Sequence, residues 1–244
     1  SITVLDISME KNADELTAAL RQKIPVEYVD HHRAGDIPPS EHLKADINTS
    51  PETCTSLLVN EQLNGQYEFW AIAAAFGDNM IKPAIALCEK HQLSQSDIEH
   101  LRLLGTYVNY NGYGRDLSDL HFHPEDLYRH LLSYENPLDL IKEEGSVYHQ
   151  LQAKYQADMQ KLTDAQVVSQ TDHALVVSLP DEPWARRVSG VYGNELANKT
   201  PERAHAVLTL NADKSFTVSV RAPLTNRQGA DLVCVQFATG GGRA

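Results

Sequence analysis

The chain has 244 residues, 42% of them hydrophobic and 22% charged, a balance that excludes disordered and fibrous classes and suits two modest domains. Lys and Arg number 21 against 33 Asp and Glu, a formal net charge of −12, so the surface is expected to repel long duplex DNA, and a phosphorylated substrate must be met by cations. No stretch offers the roughly 20 unbroken apolar residues of a membrane helix, and Cys54, Cys88 and Cys234, an odd set without a CxxC pair, point to a reducing cytoplasm rather than a disulfide framework or thiolate zinc site.

Thr3-Val4-Leu5 reads as the end of a buried strand that runs into Asp6. Asn12 and Glu15 are placed for a capping box, opening an amphipathic helix with Leu16, Ala19, Leu20 and Ile24 at helical spacing, ended by Pro25. Val26 to Val29 is a second strand, so strand, helix and strand form a βαβ unit and predict a parallel sheet. Ligands of such sheets gather at the carboxyl ends of the strands, which brings Asp6 and Asp30 together.

From 51 to about 111 the pattern is mostly helical and is expected to cover the sheet. A loop over 109–119 precedes helical stretches at 124–133 and 137–162, the second a long connector. Short β-rich runs then occupy 166–169, 174–178, 205–210 and 216–221, the last two as a hairpin. In 216–221, Thr217, Ser219 and Arg221 share one face, the chemical one. The expectation is an α/β protein: a parallel-sheet N-terminal domain over 1–135 flanked by helices, a helical connector over 136–162, and a smaller mixed α/β C-terminal domain over 163–244.

The strongest chemical signal is Val29-Asp30-His31-His32, a strand delivering an acid and two imidazoles into a loop. Asp6 and one histidine suit a divalent metal, with Asp30 fixing an imidazole tautomer by a hydrogen bond. Carboxylates and imidazole without thiolate suit Mn²⁺, with Mg²⁺ or Co²⁺ as substitutes. His121, His123 and His130 form a competing zinc candidate, although Pro124, Glu125 and Asp126 fit a helix start equally well. Tyr107, Tyr110, Tyr113 and Trp184 could stack on bases, although the three tyrosines are better suited to core or loop packing. Arg221 offers a planar fork for phosphate with Ser219 beside it, and Gly240, Gly241 and Gly242 permit close backbone approach to an anion, with Arg243 adding a charge.

Leu5-Asp6-Ile7-Ser8, then Asp30-His31-His32, then Ala75-Phe76-Gly77-Asp78 resemble successive motifs of the DHH phosphoesterase superfamily. Pro51 to Ser56 is similar to the small-polar helix start that often follows the triplet. Ser189-Gly190-Val191, Val218-Ser219-Val220-Arg221-Ala222 and Gly240-Gly241-Gly242-Arg243-Ala244 resemble the DHH-associated C-terminal domain. The resemblance spans nearly the whole chain, with two departures: the family's earlier His and Asp motif has no counterpart before Asp6, and Arg243 stands where the glycine run usually meets histidine. The chain is therefore expected to be a piece cut at both ends.

The resemblance implies a metal-dependent phosphohydrolase that cleaves phosphodiester or phosphoanhydride bonds of short oligonucleotides or small nucleotides with metal-activated water. It implies Asp6, His31 and Asp78 as metal ligands of a two-metal site, His32 and Asp30 as the catalytic pair, and Ser219, Arg221, Gly240, Gly241, Gly242 and Arg243 as the substrate grip. Alternatives are an exopolyphosphatase-like hydrolase acting on polyphosphate and a degenerate relative that binds nucleotide and metal without cleavage. No membrane partner is expected, and assembly as a homo-oligomer is compatible with the sequence.

Overall fold

The computed structural model describes residues 1–241. Two sheets organise an α/β chain. Strand β1 (Ile2–Leu5), helix α1 (Ala13–Arg21), β2 (Val26–Asp30) and β3 (Leu43–Ile47) make a three-stranded parallel sheet in the order β1-β2-β3. Leu16 and Leu20 of α1 pack with Met9, Val26 and Tyr28 against this sheet. The capping box does not form: the Asn12 amide donates to the Ser8 carbonyl at 2.9 Å and gives α1 no side-chain cap. Strand β3 goes beyond the sequence reading, although Leu43, Ala45 and Ile47 alternate with Lys44 and Asp46; it is an edge strand whose Lys44 reaches Glu27 of β2 at 2.6 Å.

A helical layer follows: α2 (Thr55–Gln62), α3 (Glu68–Gly77), α4 (Ile81–Lys90), α5 (Gln95–Asn111), α6 (Pro124–Leu132), α7 (Pro137–Lys142) and α8 (Val147–Gln160). Its core runs through Ile72, Phe76, Leu101, Leu104, Tyr107 and Leu151. Helices α3 and α5 touch backbone to backbone at Gly77 and Gly105, where a Cβ on Gly105 would overlap the Ala73 carbonyl. Only glycine allows that approach, and it fixes the end of α3 and hence Asp78, its C-cap residue. The expected single connector helix over 137–162 is two helices, broken by Gly145 at φ 74°.

Strand β4 (Gln166–Gln170), β5 (Ala174–Leu179), helix α9 (Pro183–Lys199), β6 (Ala204–Leu210), β7 (Phe216–Arg221) and the short helix α10 (Ala230–Cys234) complete the described chain. The four strands lie in sequence order, with β5 and β6 parallel and the outer pairs antiparallel, so β5-α9-β6 is a second βαβ unit. The hairpin of β6 and β7 forms with Val207 opposite Ser219 and His205 opposite Arg221. Helix α9 starts with Pro at its first turn and was not foreseen, because Arg186 and Arg187 sit on its buried side. Their charges are met by carboxylates: Asp119 and Asp181 bind Arg186, and Asp158 binds Arg187 at 2.7 Å. Among the described residues no helix is long and apolar enough to cross a membrane.

Candidate metal and phosphate site

The parallel register sets Leu5, the last residue of β1, beside Val29, so Asp6 leaves the sheet level with Asp30, the last residue of β2. Asp6 does so with a left-handed backbone, φ 62°, which an aspartate tolerates better than most residues, while its N–H still bonds the Val29 carbonyl at 3.1 Å. Thr55, at the start of α2, donates its hydroxyl to Asp6 Oδ1 at 2.8 Å. His31 Nε2 lies 3.2 Å from the same oxygen. Burial pushes the Asp6 carboxyl upward, and hydrogen bonds from His31 and Thr55 with the charges of His31 and His32 outweigh it, so the net displacement is downward.

His31 is buried at 3% exposure. Its Nδ1 faces the Thr53 carbonyl at 3.1 Å and Asp78 Oδ2 at 3.7 Å. A carbonyl can only accept, so Nδ1 carries the proton in that contact and Nε2 is turned toward Asp6. Asp30 is fully buried; its Oδ1 accepts the His31 backbone N–H at 2.8 Å and lies 2.7 Å from His32 Nδ1. The other oxygen, Oδ2, has no hydrogen-bond partner among the described residues. Asp30 therefore contacts the half-buried His32, whose ring meets His31 edge to face at 4.6 Å.

One donor atom each from Asp6, Asp30, His31 and His32 lies within 4.8 Å of the others. Two carboxylates, two imidazoles and an orphaned buried carboxylate oxygen fit a divalent cation, since an unpaired buried anion is otherwise costly. Asp78 stands beside this group through His31.

His32 and Asp78 open onto a cleft of about 400 Å³ that Ser219, Arg221 and Arg227 also line. The structure therefore brings the two ends of the expected site to one cavity. Arg221 does not present an open fork. Its Nε donates to Asn194 at 2.7 Å, Nη1 to Ser219 Oγ and the Val220 carbonyl, and Nη2 to the Gly190 carbonyl at 3.4 Å. Ser219 thus helps to hold Arg221 as well as lining the cleft. Gly241 lines the cleft too, whereas Gly240 donates to the Phe237 carbonyl at 2.9 Å and fits tightly under Cys234. Gly242 and Arg243 lie outside the described residues.

A second cavity of about 520 Å³ adjoins Asp6 and Asp78, lined by Val59, Leu63, Trp70, Leu104 and Leu131 and without a basic side chain among its described walls. Cys54 also lines it, and burial pushes its thiol up to about 11.

The competing histidines do not converge. His121 Nε2 faces the Tyr110 hydroxyl at 2.7 Å and Asp158 at 3.2 Å, His123 caps α6 by accepting from the Glu125 N–H, and His130 packs on Phe122. Tyr107, Tyr110 and Trp184 are core residues, which removes them as base-stacking surfaces; Tyr113 lines the cleft. Asn194, Asn109 and Arg227 also line it and were missed, because an isolated asparagine or a loop arginine carries no motif.

Neither a scan against protein-family models nor a search of curated proteins finds a match to this chain.

Proposed function

We propose that the chain is a divalent-metal-dependent phosphohydrolase of the DHH type, acting on short oligonucleotides or small nucleotides. The observation that carries this reading is the convergence of Asp6, Asp30, His31 and His32 at adjacent strand ends, with His32 lining a cleft that Arg221 also lines. In this reading the first 135 residues form the metal-holding part, 136–162 the connector and 163–244 the substrate-holding part, with Mn²⁺ as the ion and Mg²⁺ or Co²⁺ as substitutes.

A bound divalent ion supplies charge neutralisation at the phosphoryl oxygens and a lowered pKa for water. Asp6 and His31 are its ligands, and Asp78 holds or joins them. Asp30 keeps His32 Nδ1 engaged, so the second ring nitrogen of His32 is left to stabilise or protonate the leaving oxygen. Arg221 places a fixed positive charge for the non-reacting phosphate in a cleft that Gly241 also lines.

The test is a substrate panel with Mn²⁺: a phosphorylated dinucleotide, a cyclic dinucleotide, phosphoadenosine phosphate and polyphosphate. Cleavage of the dinucleotide by the wild type and its loss in His31→Ala support the reading; cleavage of polyphosphate alone selects an exopolyphosphatase-like enzyme. A second reading uses the same four donor atoms, which could hold an ion, without the hydrolytic step. It is a protein that binds nucleotide and metal without cleavage, and binding without product from any substrate would select it.

A further inference from the structure

We infer that Asn194 is a positioning residue whose neutrality sets the anion affinity of the cleft. The comparison lies within one helix. Arg186 and Arg187 of α9 are buried and held by carboxylates, Asp119 with Asp181 for the first and Asp158 for the second. Such pairs fix the chain and cancel the guanidinium charge. Arg221 is fixed as firmly, by four hydrogen bonds, but every acceptor is neutral: the Asn194 side-chain carbonyl, the Ser219 hydroxyl, and the backbone carbonyls of Val220 and Gly190.

The shortest of these bonds, 2.7 Å, comes from Asn194, which also lines the cleft. An aspartate there would accept the same Nε–H and would hold the side chain as well or better. It would also neutralise the charge that faces the cleft. The asparagine orients the guanidinium through its amide oxygen without offering a counter-charge, so Arg221 keeps its full positive charge for an incoming anion in a chain of net charge −12. Arg221 contributes as an oriented cation with at most part of its fork, because Nε and Nη1 are already engaged. The inference rests on the proposed phosphohydrolase reading for the phosphate chemistry of the anion.

The experiment is calorimetric titration of inorganic pyrophosphate into the full chain with Mn²⁺ present, for the wild type, Asn194→Ala and Asn194→Asp, with thermal melting of each and a separate Mn²⁺ titration. The expected order of affinity is wild type, then Asn194→Ala, then Asn194→Asp, the last weakened about tenfold or more. Asn194→Asp should melt no lower than Asn194→Ala, with Mn²⁺ binding unchanged in both. A structural role alone would give the reverse order, with Asn194→Asp binding pyrophosphate like the wild type, and that result overturns the inference while leaving the functional reading intact. Failure of the wild type itself to bind pyrophosphate overturns both, because the cleft would then be no phosphate site.

Discussion

His31 Nε2 and Asp6 Oδ1 face each other at 3.2 Å, although one residue follows β2 and the other follows β1. The pair exists because the two strands are parallel and in register at Leu5 and Val29, so each delivers its next functional residue to the same edge. Thr55 holds Asp6 from one side and the Thr53 carbonyl holds His31 from the other, so both donors are oriented by the start of a single helix.

His32→Ala should lower kcat about 10² to 10⁴-fold, the usual worth of a positioned acid or base. Mn²⁺ affinity should change much less than in His31→Ala. Steady-state hydrolysis of a dinucleotide beside a metal titration checks both, and an unchanged kcat would remove His32 from the chemistry.

Arg221→Ala should weaken substrate binding about 10 to 100-fold, because a charge-assisted hydrogen bond and an oriented cation are lost together. Arg221→Lys should fail to restore it. An ammonium cannot make the bonds to Asn194, Ser219, Val220 and Gly190 at once, so its charge is not held at the cleft. KM for the dinucleotide reads the effect, and full rescue by lysine would mean that charge alone suffices.

Gly105→Ala should destabilise the chain by about 1–3 kcal/mol, since the new methyl overlaps the Ala73 carbonyl and must push α5 away from α3. The same displacement moves Asp78 at the end of α3, so Mn²⁺ affinity should fall with stability. Urea unfolding and metal titration of the variant measure the two effects.

Acid should act on the junction of α5, α8 and α9. Burial raises the Asp158 carboxyl, but hydrogen bonds with His121, Tyr110 and Arg187 and the Arg187 charge hold it well below the usual carboxylate range. A folded carboxyl that binds its proton less tightly than the unfolded one stabilises the fold above the ordinary pKa, about 4, and loses that contribution as pH falls below it. Asp158→Asn should cost about 3 kcal/mol or more, because Arg187 is left buried without its partner, and should flatten the fall in stability below pH 4. Urea midpoints across pH for wild type and variant test this.

The sequence predicted which strand ends meet better than it predicted the helices around them. Asp6 and Asp30 were placed together by one inference, that strand, helix and strand make a parallel pair, and the register bears this out. The alternation in 216–221 put Ser219 and Arg221 on one face, and both line the cleft, but Val218 and Val220 of the other face line it with them. Helix α9 was hidden because its buried face carries Arg186 and Arg187, which are tolerable inside only through Asp119, Asp158 and Asp181, and long-range partners leave no periodicity. The break at Gly145 was hidden because a glycine at positive φ and one within a helix look alike in sequence. Asn194 gave no signal, since its role depends on the absence of a charge.

The most direct test of the metal site is a calorimetric Mn²⁺ titration of the wild type, His31→Ala and His121→Ala. The account predicts saturable binding by the wild type, a loss of about 100-fold or more in His31→Ala, and wild-type affinity in His121→Ala, whose histidine serves Tyr110 and Asp158. Wild-type affinity in His31→Ala, or no binding by the wild type, would contradict it.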